Sequence, residues 1–469
     1  MKPKHVLSMA LTFACFLAVE LTAQAEEGWL AQNLERFQDL KFGFMAHFGA
    51  YSQWGCIESW PLVEEDKWAR PDDLPAWTER NKDLRKFQQD YWALPRTFNP
   101  TNFDARSWAK AAKNAGMKYV VFTTKHHDGF CMFDTRMTDY RVTAPDVPFH
   151  SNARSNIVRE VFNAFRHQGF MIGAYFSKAD WHCPDYWAPT LPAHSRNPNY
   201  DTHAQPEKWQ RFVNFTHHQI EELMTGYGHI DILWLDAGQV RPPDQDIQMD
   251  ALAAMARKHQ HGLLIVDRTV GGPYENYRTP EQEVPDKPLS YPWESCITMG
   301  NSWSYKPNDA YKSTQRLIEL LVDIVSKGGN LLLNVGPQPD GQLPKEALTR
   351  MEEIGAWLKV NGEAIYSTRP IAPYKENNIA FTRKGRAVYA ICLTKENENQ
   401  PPAGITISAF KPAAGSKVRL LGAREPLEWH TDAAGRTIVR ISEAAGRSGF
   451  ASNYGFVIKL EPAEIGSTK

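Results

Sequence analysis

Segments with the pattern of a buried strand alternate with segments of helical period from about residue 42 to residue 361. The strand-like runs include FGFMAHFG (42–49) and NLLLNVG (330–336), and the helix-like runs include SNIVREVFNAFRHQG (155–169) and TQRLIELLVDIVSKGG (314–329). Repeated strand–helix units give a parallel sheet, because each helix carries the chain back to the start of the next strand. The number of units is close to eight, and no GxGxxG follows the first strand. Both features favour a closed barrel over an open doubly wound sheet.

We therefore predict an α/β fold in which a (β/α)8-like TIM barrel spans residues 26–366. After residue 366 the pattern changes to short alternating segments such as AVYAICLT and GFVIKLE, separated by Gly, Pro and Asn. This pattern predicts a small C-terminal all-β sandwich domain over residues 367–469. Residues 50–100 are irregular and rich in Trp, Pro and charge, and we expect them to form a long loop over the barrel mouth.

Polar side chains stand where the strand-like runs are expected to end. The stretch KYVVFTTKHHDGF (118–130) passes from an apolar run directly into two histidines and a carboxylate. Polar groups that converge at the carboxyl ends of several strands are what the active site of a (β/α)8 barrel requires. Later runs repeat the transition, at Asp236, Arg268, Glu294 and Asn334.

Two of these residues, Asp236 and Glu294, are the candidate catalytic pair. Asp236 follows an apolar strand that would hold it rigidly, as a nucleophile requires. Glu294 follows Trp293, and apolar neighbours raise the pKa of a carboxyl and keep it protonated, as a general acid requires. Two carboxyl groups in different environments on one barrel face are the catalytic groups that glycoside hydrolysis uses. The alternative for either residue is a salt bridge to a nearby arginine.

The histidines are better suited to sugar hydroxyls than to a metal. Adjacent histidines in a strand, such as His126 and His127, point to opposite sides, and the sequence has no HxxxH motif. We therefore expect no metal site. Imidazole both donates and accepts hydrogen bonds, so His126, His127 and His47 are candidate sugar ligands. Arg268 would bind a hydroxyl or hold Asp236 ionised.

Composition narrows the class of partner. The formal net charge is −1, which gives no support to binding of nucleic acid or of an anionic membrane. The 15 tryptophans favour carbohydrate weakly, because indole rings stack on sugar faces, although most such rings in any protein fill the core. Five cysteines lie beyond residue 25, with no CxxC spacing. One or two disulfide bridges are compatible with this number, but a zinc site is not.

The first 25 residues have the pattern of a signal peptide. Lys2 and Lys4 form a basic start, an apolar run follows from Val6 to Val19, and Ala23-Gln24-Ala25 resembles a cleavage site. The run is too short to span a bilayer, and we find no other candidate for a membrane span. We expect the protein to be exported to the periplasm or secreted.

Five motifs, in the same order along the chain, resemble those of the α-L-fucosidases of glycoside hydrolase family 29. The resemblance covers roughly residues 28–370, and PLSYPWESC is its most specific element. The sequence has His47-Phe48-Gly49 where the family often has HWG, and Glu58-Ser59-Trp60 where it often has EWY. The motifs are FGFMAHFG, KHHDGF, WLDAG, PLSYPWESC and GGNLLLNVGPQPDG.

The resemblance implies an exo-acting retaining α-L-fucosidase that removes terminal fucose from oligosaccharides or glycoconjugates without a cofactor. By this resemblance, Asp236 would be the nucleophile and Glu294 the acid/base. Three other residues, Glu275, Glu281 and Glu283, are rivals for the acid/base role. The segment RTVGGPYENYRTPEQ is more like the subgroup that cleaves α-1,3/1,4-linked fucose. The implied substrate-binding residues are His47, Glu58, Trp60, His126, His127, Tyr175, Trp234, Arg268 and Trp303.

Two other functions remain open at the level of sequence. The same machinery could act on another L-sugar, such as an α-L-galactoside, because fucose is 6-deoxy-L-galactose. A non-catalytic fucose-binding protein is the second alternative. The presence of both candidate carboxylates argues against it. The sequence gives no oligomeric state.

Overall fold

The computed structural model describes residues 25–70, 75–394, 402–442 and 454–464. The predicted signal peptide, apart from its last residue, lies outside these ranges. Within them, no helix is both long enough and apolar enough to cross a lipid bilayer.

Seven parallel strands form a curled sheet that makes up most of a barrel. They are β1 (Phe42–Ala46), β2 (Tyr119–Lys125), β3 (Met171–Ser177), β4 (Ile232–Asp236), β5 (Leu264–Asp267), β6 (Glu294–Thr298) and β7 (Asn330–Val335). In the sheet their order is β5-β4-β3-β2-β1-β7-β6. Six of the seven are buried along their whole length, and five of these six, all except β6, appear in the sequence as largely apolar runs. The predicted (β/α)8-like architecture is confirmed.

The predicted helices pack around the sheet. Their apolar faces recur at the period of the α-helix, and several begin at a capping side chain, such as Asn156, which accepts from the backbone N–H of Arg159 at 3.2 Å. A first helix, α1, spans residues 25–40. The others are α2 (Pro75–Arg80), α3 (Leu84–Trp92), α4 (Ala105–Asn114), α5 (Ile157–His167), α6 (Pro206–Gly226), α7 (Met249–His259), α8 (Thr314–Ser326) and α9 (Lys345–Asn361).

The barrel has a seam between β5 and β6. In the described chain these two edge strands do not pair with each other, and the segment between them, residues 268–293, lies across the gap. Isolated backbone bridges join Arg278 to Trp293 and Glu281 to Cys296. An irregular segment therefore stands in the place of an eighth strand.

The two ends of the barrel are closed differently. At the amino ends of the strands, Phe37 of α1 stacks on Tyr277, with ring centroids 4.2 Å apart. Gly43 allows the ring of Tyr119 to lie across β1, since a Cβ at Gly43 would meet that ring at 2.3 Å. At the carboxyl ends, residues 50–70 form short 3₁₀ turns over the mouth. The predicted cover over the mouth is therefore present, with the two short helices α2 and α3 beside it.

Antiparallel sheets follow the barrel. One sheet has the order β13-β12-β16-β10-β9-β8 and a smaller one has the order β11-β15-β14. A separate apolar cluster, which includes Phe381, Ile407 and Ile458, fills the space between them. The first sheet contains β8 (Arg369–Glu376), β9 (Ile379–Lys384), β10 (Ala387–Leu393), β12 (Lys411–Leu420), β13 (Pro426–Leu427) and β16 (Gly455–Glu464); the second contains β11 (Gly404–Ile407), β14 (Trp429–Thr431) and β15 (Thr437–Arg440).

The five cysteines of the described residues are free and buried: Cys56, Cys131, Cys183, Cys296 and Cys392. Desolvation raises the pKa of Cys296 well above its ordinary value, so its thiol stays protonated at neutral pH. No group of three or more His, Cys, Asp or Glu side chains in the described ranges could hold a metal ion.

Candidate active site

A pocket of about 590 Å³ opens at the carboxyl ends of the strands. Its position is where barrel enzymes carry their chemistry. Met45 and Trp234, both fully buried, lie at its closed end. The predicted site residues that the structure brings together here are His47, Glu58, Trp60, His126, His127, Tyr175, Trp234, Asp236, Arg268 and Trp303.

Asp236 is the last residue of β4, and its carboxylate is held from both sides. Tyr175 donates its hydroxyl to Oδ2 at 2.7 Å, and Arg268 donates from Nη1 to Oδ1 at 3.0 Å. Burial alone would raise the pKa of Asp236, but the charge of Arg268 and the hydrogen bond from Tyr175 outweigh it and hold the pKa well below its ordinary range. The carboxylate is therefore ionised, oriented and 19% exposed to the pocket.

His126 and His127 lie just beyond β2 and before a turn at Gly129, whose φ of +79° suits glycine. Serines fix both rings: His126 Nδ1 lies 2.5 Å from Ser59 Oγ, and His127 Nδ1 lies 2.6 Å from Ser177 Oγ. In the described chain, Nε2 of His127 is buried without a hydrogen-bond partner, 3.8 Å from Asp236 Oδ2. An oriented ring nitrogen with no partner is ready for a ligand hydroxyl.

The histidines of the pocket are neutral. Desolvation lowers the pKa of His47 and of His127 to about 4, and it lowers that of His126 well below the ordinary value. His47 is held through Nδ1 by the side-chain oxygen of Asn334 at 2.7 Å. Neutral imidazoles can both donate to and accept from sugar hydroxyls, which suits an uncharged substrate.

Glu281 is the second carboxylate of the pocket. It accepts from Nη2 of Arg268 at 2.7 Å, so one guanidinium contacts both Glu281 and Asp236. Its side chain is 46% exposed, and it belongs to the irregular segment across the seam. Glu275 and Glu283, the other rivals for the acid/base role, do not line the pocket.

Glu58 lines the same pocket from the cover above it. Its Oε1 accepts the backbone N–H of Ser304 at 2.6 Å. Burial raises the pKa of Glu58 to about 8, so this carboxyl keeps its proton at neutral pH. It supplies a neutral acid and adds no negative charge to the pocket.

The structure corrects the prediction for Glu294. This residue begins β6 instead of ending a strand, and it pairs with Asn330 at the start of β7. Its carboxyl is fully buried and accepts from Tyr119 Oη at 2.7 Å and from Trp234 Nε1 at 3.1 Å. Trp234 lines the pocket and Glu294 does not, so Glu294 cannot reach a bound substrate. The predicted acid/base is therefore placed at the wrong end of the barrel.

Sequence reasoning missed several residues that line the pocket. Trp68 stands alone among charged residues in EEDKWAR, and an apolar ring in such a run was the available signal. The others lie in irregular segments, where no periodicity marks them. They include Arg196, Gln239, Gln282 and Asn301.

Comparisons with known proteins agree with this geometry. A family model described as "Alpha-L-fucosidase" matches residues 20–363. The chain belongs to this family. Family membership makes it a glycoside hydrolase with α-L-fucosidase activity.

Individual relatives of the family match over most of their length. Tissue alpha-L-fucosidase of Bos taurus is 29% identical over 90% of this chain and 87% of its own. Alpha-L-fucosidase isoenzyme 1 from Paenibacillus thiaminolyticus is 31% identical, with a TM-score of 0.74 over 93% of this chain and all of its own. Thermotoga maritima alpha-fucosidase in complex with fucose is 26% identical, with a TM-score of 0.71 over 91% of this chain and 96% of its own.

Proposed function

We propose that the protein is an exo-acting, retaining α-L-fucosidase in which Asp236 is the nucleophile and Glu281 is the acid/base. The observation that carries this proposal is the contact of a single guanidinium, that of Arg268, with both carboxylates inside one pocket. Two carboxyl groups of unequal environment beside one sugar site are the basis of double displacement. Asp236 is ionised and oriented, and Glu281 is the more exposed of the two.

The first step forms an ester. A carboxylate oxygen of Asp236 bonds to the anomeric carbon as the glycosidic C–O bond breaks, and Glu281 gives its proton to the leaving oxygen. In the second step Glu281 takes a proton from water, whose oxygen bonds to the anomeric carbon and releases Asp236. Two inversions give net retention.

The remaining pocket residues hold a single sugar. His47, His126 and His127 present ring nitrogens to hydroxyls, and Trp303 lies beside His47 with ring centroids 5.2 Å apart. The buried residues Met45 and Trp234 at the closed end of the pocket support action on a terminal sugar. The binding of fucose by the Thermotoga relative supports fucose as that residue.

The test compares aryl α-L-fucoside with aryl α-L-galactoside while NMR follows the first anomer released. We expect α-L-fucose first, and a preference for the fucoside of about 10²-fold, because the extra hydroxyl of galactose would meet an apolar lining residue such as Trp303. Initial release of the β-anomer would refute double displacement. Equal rates on both glycosides would favour the broader L-sugar specificity.

The preference for α-1,3/1,4-linked fucose extends the same proposal. It rests on the segment RTVGGPYENYRTPEQ, which carries Glu281 and lies across the seam beside the pocket. Incubation with α-1,2-, α-1,3-, α-1,4- and α-1,6-fucosylated oligosaccharides, followed by measurement of free fucose, decides the linkage.

A further inference from the structure

Trp68 stands out among the aromatic residues of the pocket. Its side chain lines the pocket, yet the residue is 57% exposed. The other large apolar residues that are comparably exposed in the described ranges, such as Trp29 and Leu191, lie away from the pocket. An indole is costly to leave in water, so a ring displayed at the rim of a site suggests a ligand that covers it.

The ring of Trp68 is fixed in place. Its Nε1 donates to Asp66 Oδ1 at 3.0 Å. Asp66 in turn receives Arg196 in a bidentate ion pair, with nitrogen–oxygen distances of 2.8 and 2.9 Å. Arg70 secures the same turn by donating to the backbone carbonyls of Pro61 and Glu64. A preorganised ring loses little entropy when a ligand stacks on it.

Aromatic contacts connect this ring to the reaction centre. Trp60 lies 4.8 Å from His127 and 6.2 Å from Trp68, measured between ring centroids. His127 in turn adjoins Asp236. Trp68 is therefore two ring contacts away from His127, on the exposed side of the pocket, where the leaving group of an exo-acting enzyme would extend.

We infer that Trp68 is the stacking platform for the sugar that carries the fucose, so that the substrate is a fucosylated oligosaccharide whose next pyranose lies on the indole. This inference rests on the proposed exo-fucosidase function. Polar side chains complete the rim and suit the hydroxyls of that second sugar: Gln239, Gln282 and Asn301. An aromatic face combined with amide groups is typical of a carbohydrate site.

The test compares a substrate that lacks the second sugar with one that contains it. α-L-Fucosyl fluoride has no second sugar, whereas a fucosylated trisaccharide requires the platform. We expect Trp68→Ala to lower kcat/KM for the trisaccharide about tenfold and to leave fucosyl fluoride within twofold. Trp68→Phe should restore most of the loss. Trp29→Ala is the matched control, because Trp29 is 43% exposed and outside the pocket, and it should change neither value.

Three results would overturn the inference. One is equal trisaccharide activity in Trp68→Ala and Trp29→Ala. Another is an equal loss on both substrates in Trp68→Ala, which would make the ring a support for the fucose pocket. The third is a change in oligomeric state with unaltered trisaccharide turnover, which would make the ring a subunit contact. Failure of the unmodified enzyme to hydrolyse either substrate would instead refute the proposed function.

Discussion

Two carboxyl groups inside the same barrel meet opposite environments at its two ends. Asp236, at the carboxyl end of β4, is held by a cation and a phenol and opens onto a pocket. Glu294, at the amino end of β6, accepts two neutral donors and is sealed from solvent. Arg268 keeps the pKa of the first carboxyl low, whereas burial raises the pKa of the second to about 7.

The difference shows that the two ends of the barrel give a carboxyl group different environments. At the carboxyl end, loops and the cover leave room for a substrate. At the amino end, Tyr119 and the indole of Trp234 enclose Glu294, with Phe37 of α1 packed against the ring of Tyr119. Glu294 is therefore part of the polar framework of the core, and its role is to satisfy two buried donors.

The strongest challenge to this comparison is Asp236→Asn. The amide can still accept from Arg268 but is a poor nucleophile, so we expect kcat/KM for an aryl fucoside to fall about 10³-fold or more with the fold unchanged. Steady-state kinetics and thermal unfolding measure the two effects. Activity within tenfold of the unmodified enzyme would remove Asp236 from the nucleophile role.

Glu281→Ala tests the second carboxylate of the pocket. We expect kcat/KM to fall about 10²-fold or more on an oligosaccharide. The fall in kcat/KM should be much smaller on fucosyl fluoride, because its leaving group needs no proton. Azide should rescue turnover by forming fucosyl azide of retained configuration, because it replaces the water that the base activates. Equal losses on both substrates, without rescue, would contradict the assignment.

Glu294→Ala, in contrast, should lower the stability of the fold. Removal of the carboxyl leaves the buried Tyr119 hydroxyl and Trp234 N–H without an acceptor, at a cost of about 1–3 kcal/mol in unfolding free energy for each. Chemical denaturation measures this cost, and Glu281→Ala is the control that should lack it. A stable Glu294→Ala variant with no activity would support a catalytic role for Glu294.

The smallest expected effect is a change in the pH dependence of folding stability. Because the pKa of Glu294 in the folded state is raised to about 7, its contribution to stability is present below an unfolded pKa of about 4.5 and is lost as the pH rises towards 7. Glu294→Gln cannot ionise, so over that interval its stability should improve relative to the unmodified protein by up to about 3 kcal/mol. Denaturation at several pH values checks this. A constant difference between the two proteins would show that Glu294 is ionised in the fold.

Much of this fold could be predicted from the sequence. Most of the buried parallel strands are continuous apolar runs, and the apolar residues of the helices recur at the helical period. His126, His127, Asp236 and Arg268 could be placed for the same reason, since each follows such a run. The prediction for Glu294 is wrong because the aromatic residues before it resemble a strand. The actual strand is Glu294–Thr298, ESCIT, which is short and largely polar.

Glu281 could not be singled out from the sequence by physical reasoning. It lies in an irregular segment, and its place in the pocket depends on one backbone bridge to Cys296 and one ion pair with Arg268. Neither interaction leaves a periodic trace. The same holds for the rim, where Trp68 depends on Asp66 and on the distant Arg196.

The seam between β5 and β6 has a consequence for how such an enzyme can change. The proposed nucleophile, Asp236, is anchored in a continuous ladder, whereas the proposed proton donor, Glu281, lies on a stretch joined to the sheet through isolated bridges. Insertions or deletions within residues 268–293 would leave the ladder intact while moving the donor. Altering the length of this stretch is therefore a route by which evolution, or an engineer, could retune the preferred leaving group without rebuilding the scaffold.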